Sequence, residues 1–112
     1  MFYSAMKGTS ADNEDWLRRK GNCVRRWDRS SYLTHLRLKR DNRTFAPDNN
    51  VDPAHYAVHG GAFPIRIEGV GIIGSITASG VPQRDNHGFV VTAICKHLGI
   101  DPAELMLPPE TP

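Results

Sequence analysis

Two short alternating runs, set on either side of one glycine turn, constrain this chain more than any other feature. Phe63, Ile65 and Ile67 alternate with Pro64, Arg66 and Glu68; Ile72, Gly74, Ile76 and Ala78 alternate with Ile73, Ser75, Thr77 and Ser79. That is the two-residue period of half-buried strands. Gly69-Val70 between them suits a two-residue type II′ turn, with glycine at the first central position. The turn predicts the pairs Glu68–Gly71, Ile67–Ile72, Ile65–Gly74 and Phe63–Ile76, of which the last three put apolar or small groups on a common face. A one-residue slip would set Ile67 against Ile73 and mix the faces. The same register brings His59-Gly60-Gly61 opposite Ala78-Ser79-Gly80 at the open end of the hairpin, close to a helix start near Asp85. This corner is the candidate pocket.

The remainder reads mainly as helix. Met1 to Ala5 resembles the tail of a strand, and Thr9 or Ser10 can cap a helix from about Asp12 to Trp27, with Asp12, Glu14 and Asp15 against its positive end. Trp16, Leu17, Lys20, Cys23, Val24 and Trp27 form its stripe, interrupted by Gly21 at a cost of roughly 1 kcal/mol against alanine. Ser30 or Ser31 caps a second helix carrying Tyr32, Leu33, Leu36 and Arg40. Thr44 to Val51 is loop, and Asp52-Pro53 has the form of a short helix start. Asp85 is placed to cap a last helix with the stripe Phe89, Val90, Ala93, Ile94, His97 and Leu98. Gly99 is suited to end it in the left-handed region, and Asp101-Pro102 begins one more turn. The expectation is a single domain over residues 1–107 and a flexible tail over 108–112. Its class is α/β, an antiparallel sheet flanked by helices. One hairpin and one strand fragment make a marginal sheet, so the pattern predicts either strands supplied by another subunit or a missing N-terminal portion.

With 112 residues the chain has room for one core. It shows no apolar run of membrane-spanning length and no basic-then-apolar leader, and it predicts a cytoplasmic protein without membrane contact. Cys23 and Cys95 stand in no Cys-x-x-Cys spacing and read as reduced, buried thiols. The net charge of +2 hides an asymmetry: residues 18–43 hold ten of the fourteen basic residues and only Asp28 and Asp41 as acids. Such a segment can present a basic surface to acidic partners or nucleic acid. No aromatic platform accompanies it, since Trp16 and Trp27 fall on the apolar stripe. Nucleic acid is therefore not the expected partner; a solvated face or a subunit contact, with Arg19 and Lys20 pairing acids across it, is.

Two blocks carry a family resemblance. One is Tyr56-x-x-His59-Gly60-Gly61-x-Phe63-Pro64-Ile65 followed by Gly71-x-x-Gly74-x-Ile76-x-x-Ser79-Gly80-x-Pro82 and His87. The other is Gly8-Thr9-Ser10-x-Asp12-Asn13-x-x-Trp16-x-x-Arg19-Lys20. Together they resemble the GlcG/HbpS-like haem-binding and haem-degrading domains, in the small cytosolic branch, over about Phe2 to Leu98. The resemblance implies an antiparallel sheet flanked by helices, a symmetric homo-oligomer, and haem as the cofactor, with haem breakdown as an associated activity. It also implies a further helix and strand before Met1, so the expectation is an N-terminally shortened member of the family.

His59 and His87 are the candidate iron ligands, since neutral imidazole ligates iron. Gly60, Gly61, Ser79 and Gly80 complete the candidate site by allowing close backbone approach. The competing reading gives both histidines structural hydrogen bonds around a glycine-rich corner. His35, His55 and His97 read as structural or solvated. Ser79 has no acid and base in triad order, and no catalytic residue is assigned. The alternative function is a non-enzymatic assembly or adaptor protein built on the basic helices.

Overall fold

The computed structural model describes residues 11–44 and 51–108. Helix α1 spans Ala11–Trp27, with Asp12 and Glu14 in its first turn and Arg25 and Arg26 in its last, the charge order that suits the helix dipole. It runs unbroken through Gly21, buries Lys20, Gly21, Cys23 and Val24, and leaves Trp16 and Trp27 half-buried. Asp28 turns the chain at φ 56°. Ser30 then caps helix α2, Ser31–Arg40, its hydroxyl accepting from the Leu33 amide at 3.1 Å.

Strands β1, Ala62–Ile67, and β2, Gly71–Thr77, form a two-stranded antiparallel sheet. The predicted pairs Phe63–Ile76 and Ile65–Gly74 are present. Beyond them a bulge between Ile65 and Arg66 shifts the register, so Arg66 meets Ile72 and Ile67 meets Gly71. The loop is thus three residues, not two. The Val70 amide donates to the Ile67 carbonyl at 3.0 Å, and Gly69 occupies the third turn position at φ 80°. A positive φ there is what a type II turn requires.

The buried face of the sheet is also the opposite of the one that hydrophobicity alone suggests. Helix α1 packs where Ala62, Pro64 and Ser75 lie, and Arg66 on that face reaches Asp28 at 2.6 Å. A methyl at Gly21 would sit 3.2 Å from the Ser75 hydroxyl, so the helix approaches closely over small groups. The Ile65 and Ile67 side chains face away, 42% and 48% exposed.

Helix α3 spans Gln83–Leu98. It starts at Pro82 without a side-chain cap, three residues ahead of the expected Asp85 cap, and leaves Asp85 in the first turn. Its buried line is Asn86, Val90 and Cys95, while Phe89 of the expected stripe is exposed. Gly99 ends it at φ 75°, and a 3₁₀ turn, Pro102–Glu104, follows with Asp101 capping Ala103. Asp52-Pro53 opens only a turn, held by the Ala54 amide on the Asp52 carboxylate. The expected strand at residues 1–5, the cap at Thr9 or Ser10, most of the loop before Val51 and most of the expected tail lie outside the described residues.

The core joins Cys23, Val24, Tyr32, Ala57, Val58, Ala62, Val90 and Cys95. Both thiols are free, and burial pushes the Cys23 thiol up to about 12, which makes it inert at neutral pH. Among the described residues no helix is long and apolar enough to cross a membrane.

Candidate functional site

The segment 57–61 enters β1 under tight steric control. Ser31, fully buried at the start of α2, donates to the His59 carbonyl at 2.7 Å and accepts from the Ala62 amide at 3.1 Å. A methyl at Gly60 would collide with the Gln83 carbonyl oxygen, and one at Gly61, where φ is +133°, with that of Ala78. Only glycine lets both strand ends and the start of α3 close on one point.

A cavity of about 260 Å³ opens at this point. Asn13, Trp16 and Lys20 come from α1, His59 from the approach to β1, Ser79, Gly80 and Val81 from the exit of β2, and Gln83 and Asn86 from α3. Lys20 forms its floor and stands on backbone carbonyls behind it: Lys20 Nζ donates to Gly60 O at 3.0 Å and Ala78 O at 3.2 Å, and the Ala78 amide donates to Gly61 O at 2.8 Å. Lys20 is 2% exposed, and burial lowers its pKa to about 8. Among the described residues no carboxylate lines the cavity.

His59 stands at the rim, its ring edge-on to Trp16 at 4.9 Å and 83°. Burial, followed by the charges of His35, Lys20 and Arg19, lowers its pKa and keeps the imidazole neutral. No described residue hydrogen-bonds its ring nitrogens. Arg19 lies over the Trp16 ring at 4.7 Å and donates to the Pro53 carbonyl.

His87 is elsewhere. It packs on Tyr32 at 5.1 Å, and burial with nearby Arg84 lowers its pKa. His35 joins the two regions, 6.1 Å from Tyr32 and 6.2 Å from His59. Gln83 connects it to the floor, its Nε2 3.3 Å from His35 Nε2 and its Oε1 accepting from the Gly60 amide at 3.1 Å. The structure thus brings His59, Ser79 and Gly80 to one cavity, sets Gly60 and Gly61 behind its Lys20 wall, and leaves His87 out of the lining, against Tyr32. Among the described residues no group of three His, Cys, Asp or Glu could hold a metal ion.

Trp16, Lys20, Asn13, Gln83, Asn86 and His35 are the site residues that sequence reasoning assigned to other roles or passed over. One signal was available: a lysine on an apolar helical stripe must find buried acceptors. Within the chain Arg19 and Lys20 both donate to backbone carbonyls, of Pro53 and of Gly60 and Ala78. Much of the basic segment is similarly engaged, Arg18 with Asp15, Arg26 over Trp27, Arg29 with the Trp27 carbonyl and Arg40 with Asp41.

This geometry has relatives. The family described as haem degrading protein, HbpS-like, matches residues 1–95. The chain belongs to the HbpS-like family. UPF0303 proteins of Brucella canis, Brucella suis and Brucella melitensis are each 49% identical to it over 108 residues, covering 96% of this chain. The chain spans 64% of the length of these relatives. The crystal structure of the Ybr137w protein superposes with a TM-score of 0.74 at 25% identity, over 84% of this chain and 54% of that one. The α/β arrangement of this HbpS-like chain, helices on an antiparallel sheet, is thus a fold it shares with a solved protein.

Proposed function

We propose that this HbpS-like protein binds haem at the rim of the cavity, with His59 as the iron ligand. The observation that carries this reading is the His59 imidazole: neutral, accessible, and with ring nitrogens that no described residue engages. A protein-only metal centre would need further ligands that the described residues do not gather, whereas haem, which carries nitrogen donors of its own, would need only the His59 imidazole from this chain. The cavity, about 260 Å³, falls below the roughly 300–1,000 Å³ typical of pockets that engulf a drug-sized ligand. Haem would therefore be held at the mouth, by His59 with the apolar Trp16 and Val81 beside it. When bound, haem would supply iron redox and small-ligand chemistry. His59 would hold it, Trp16 packs edge-on with the imidazole, and burial, followed by the charges of His35, Lys20 and Arg19, keeps the imidazole unprotonated.

Two further parts belong to the same reading. The protein works in the cytosol, in keeping with its two reduced, buried thiols. It works as a homo-oligomer, in which a second copy covers the outward Ile65 and Ile67 face of a sheet that has only two described strands.

Haem titration of the size-fractionated protein, read in the Soret region, tests the proposal. A saturable shift that His59→Ala removes and His87→Ala retains supports it. An unchanged titration in His59→Ala removes this residue as the ligand, and loss only in His87→Ala moves the site to the Tyr32 side.

A further inference from the structure

Lys20 has a feature that iron ligation by His59 does not use. An ammonium carries three N–H donors. Two of them reach Gly60 O and Ala78 O, both neutral carbonyls, so the charge itself has no counter-ion among the described residues. A buried charge without an opposite partner is costly, and proteins keep one where something completes it. Lys20 lines the cavity, no carboxylate of the described residues does, and the neighbouring polar groups are the side chains of Asn13 and Ser79 and the first turn of α3 at Gln83. That turn starts at Pro82 without a side-chain cap, and its Asp85 and Asn86 amides donate to the Pro82 carbonyl at 2.9 and 3.0 Å. Trp16 and Val81 supply an apolar wall on the remaining side.

We propose that the cavity is a carboxylate seat, in which Lys20 pairs with the carboxylate of a small organic acid whose carbon chain lies against Trp16. A single buried cation matches a monoanion, and about 260 Å³ matches a short chain better than a drug-sized ligand. The carboxylate has two sources, a free short-chain acid or the propionate of a haem resting on the mouth.

Calorimetric titration of the haem-free protein with acetate, propionate and butyrate is the test. Saturable binding that weakens at least about tenfold in Lys20→Met, the loss of one charged hydrogen bond, supports the seat. Because Lys20→Met also removes two structural hydrogen bonds, Val81→Trp gives a second arm: it blocks the mouth from an exposed position and leaves the Lys20 contacts in place. Binding must fall in both variants while their circular dichroism stays that of a folded protein. Competition between haem and propionate, with weaker binding of haem dimethyl ester than of haem, assigns the seat to the haem carboxylate; independent binding assigns it to a free acid. A folded protein that takes up no short-chain acid, and binds haem and its dimethyl ester alike, overturns the inference. That result leaves the His59 reading standing, and carboxylate binding by a protein without a Soret shift would do the reverse.

Discussion

Lys20 Nζ stands 3.0 Å from the carbonyl oxygen of Gly60, forty residues away, and ties the middle of α1 to the entrance of β1. The same ammonium reaches Ala78 beyond the end of β2, so one side chain closes the open end of the hairpin from both sides. The floor of the cavity is therefore built by a cation on backbone carbonyls, and its stability and chemistry are linked through the protonation of that group.

The linkage has a definite sign. The folded-state pKa of Lys20 is about 8 against an ordinary 10.5. Between these values the unfolded chain holds a proton that the folded one has released, so this residue's contribution to stability rises with pH. Below pH 8 the charged form is buried and the cost is fully felt. Urea denaturation should show the wild type gaining on Lys20→Met as pH rises from about 8 to 10.5; a constant difference between the two would contradict it.

The histidines act at the acid end. Burial is the first cause of the lowered values of His35, His59 and His87. Their contribution is intact above the unfolded value of 6.5 and is lost as pH falls below it, because the unfolded chain takes up protons first. The thermal midpoint should start to drop near pH 6.5, ahead of the carboxylate range, and replacing the three by glutamine should flatten that segment of the curve.

Gly61→Ala should be strongly destabilising. Its φ of +133° alone costs a side-chain-bearing residue about 1–3 kcal/mol, before the collision with the Ala78 carbonyl. At Gly69, where a methyl meets nothing, the substitution carries backbone strain only, at a φ of 80°. Denaturation midpoints of the two variants should separate clearly, and equal midpoints would mean that the strand ends are not closed as described.

Ser31→Ala should cost about 1–3 kcal/mol, since it leaves the buried Ala62 amide without its acceptor and the His59 carbonyl without its donor. Because His59 is held through that carbonyl, the haem Soret shift of Ser31→Ala should also broaden or weaken. Stability within about 0.5 kcal/mol of wild type would show that the bridge is dispensable.

Ile65→Lys with Ile67→Lys should lower the sedimentation coefficient of the protein to that of a single chain while leaving its helix content intact. Both side chains face away from α1, so the charges cost little inside one chain. An unchanged oligomer would place the subunit contact elsewhere.

The sequence alone located what is decided locally. Alternation at Phe63–Ile67 and Ile72–Thr77 marks the strands, Ser30 and Gly99 mark helix ends, and the Gly60-Gly61 pair marks the corner, because period, capping and glycine placement act within a few residues of chain. Even there the Ile65–Arg66 bulge escaped, since inserting one residue preserves the look of the pattern while shifting the pairs. Only the tertiary structure decided which sheet face is buried: α1 needs small groups beneath Gly21, so it lies over Ala62, Pro64 and Ser75 and leaves the isoleucines outside. It also decided that Lys20 is a wall of the cavity and that His87 faces Tyr32. Those contacts join residues far apart in the chain, and spacing along a sequence carries no information about which distant carbonyl a buried ammonium will meet.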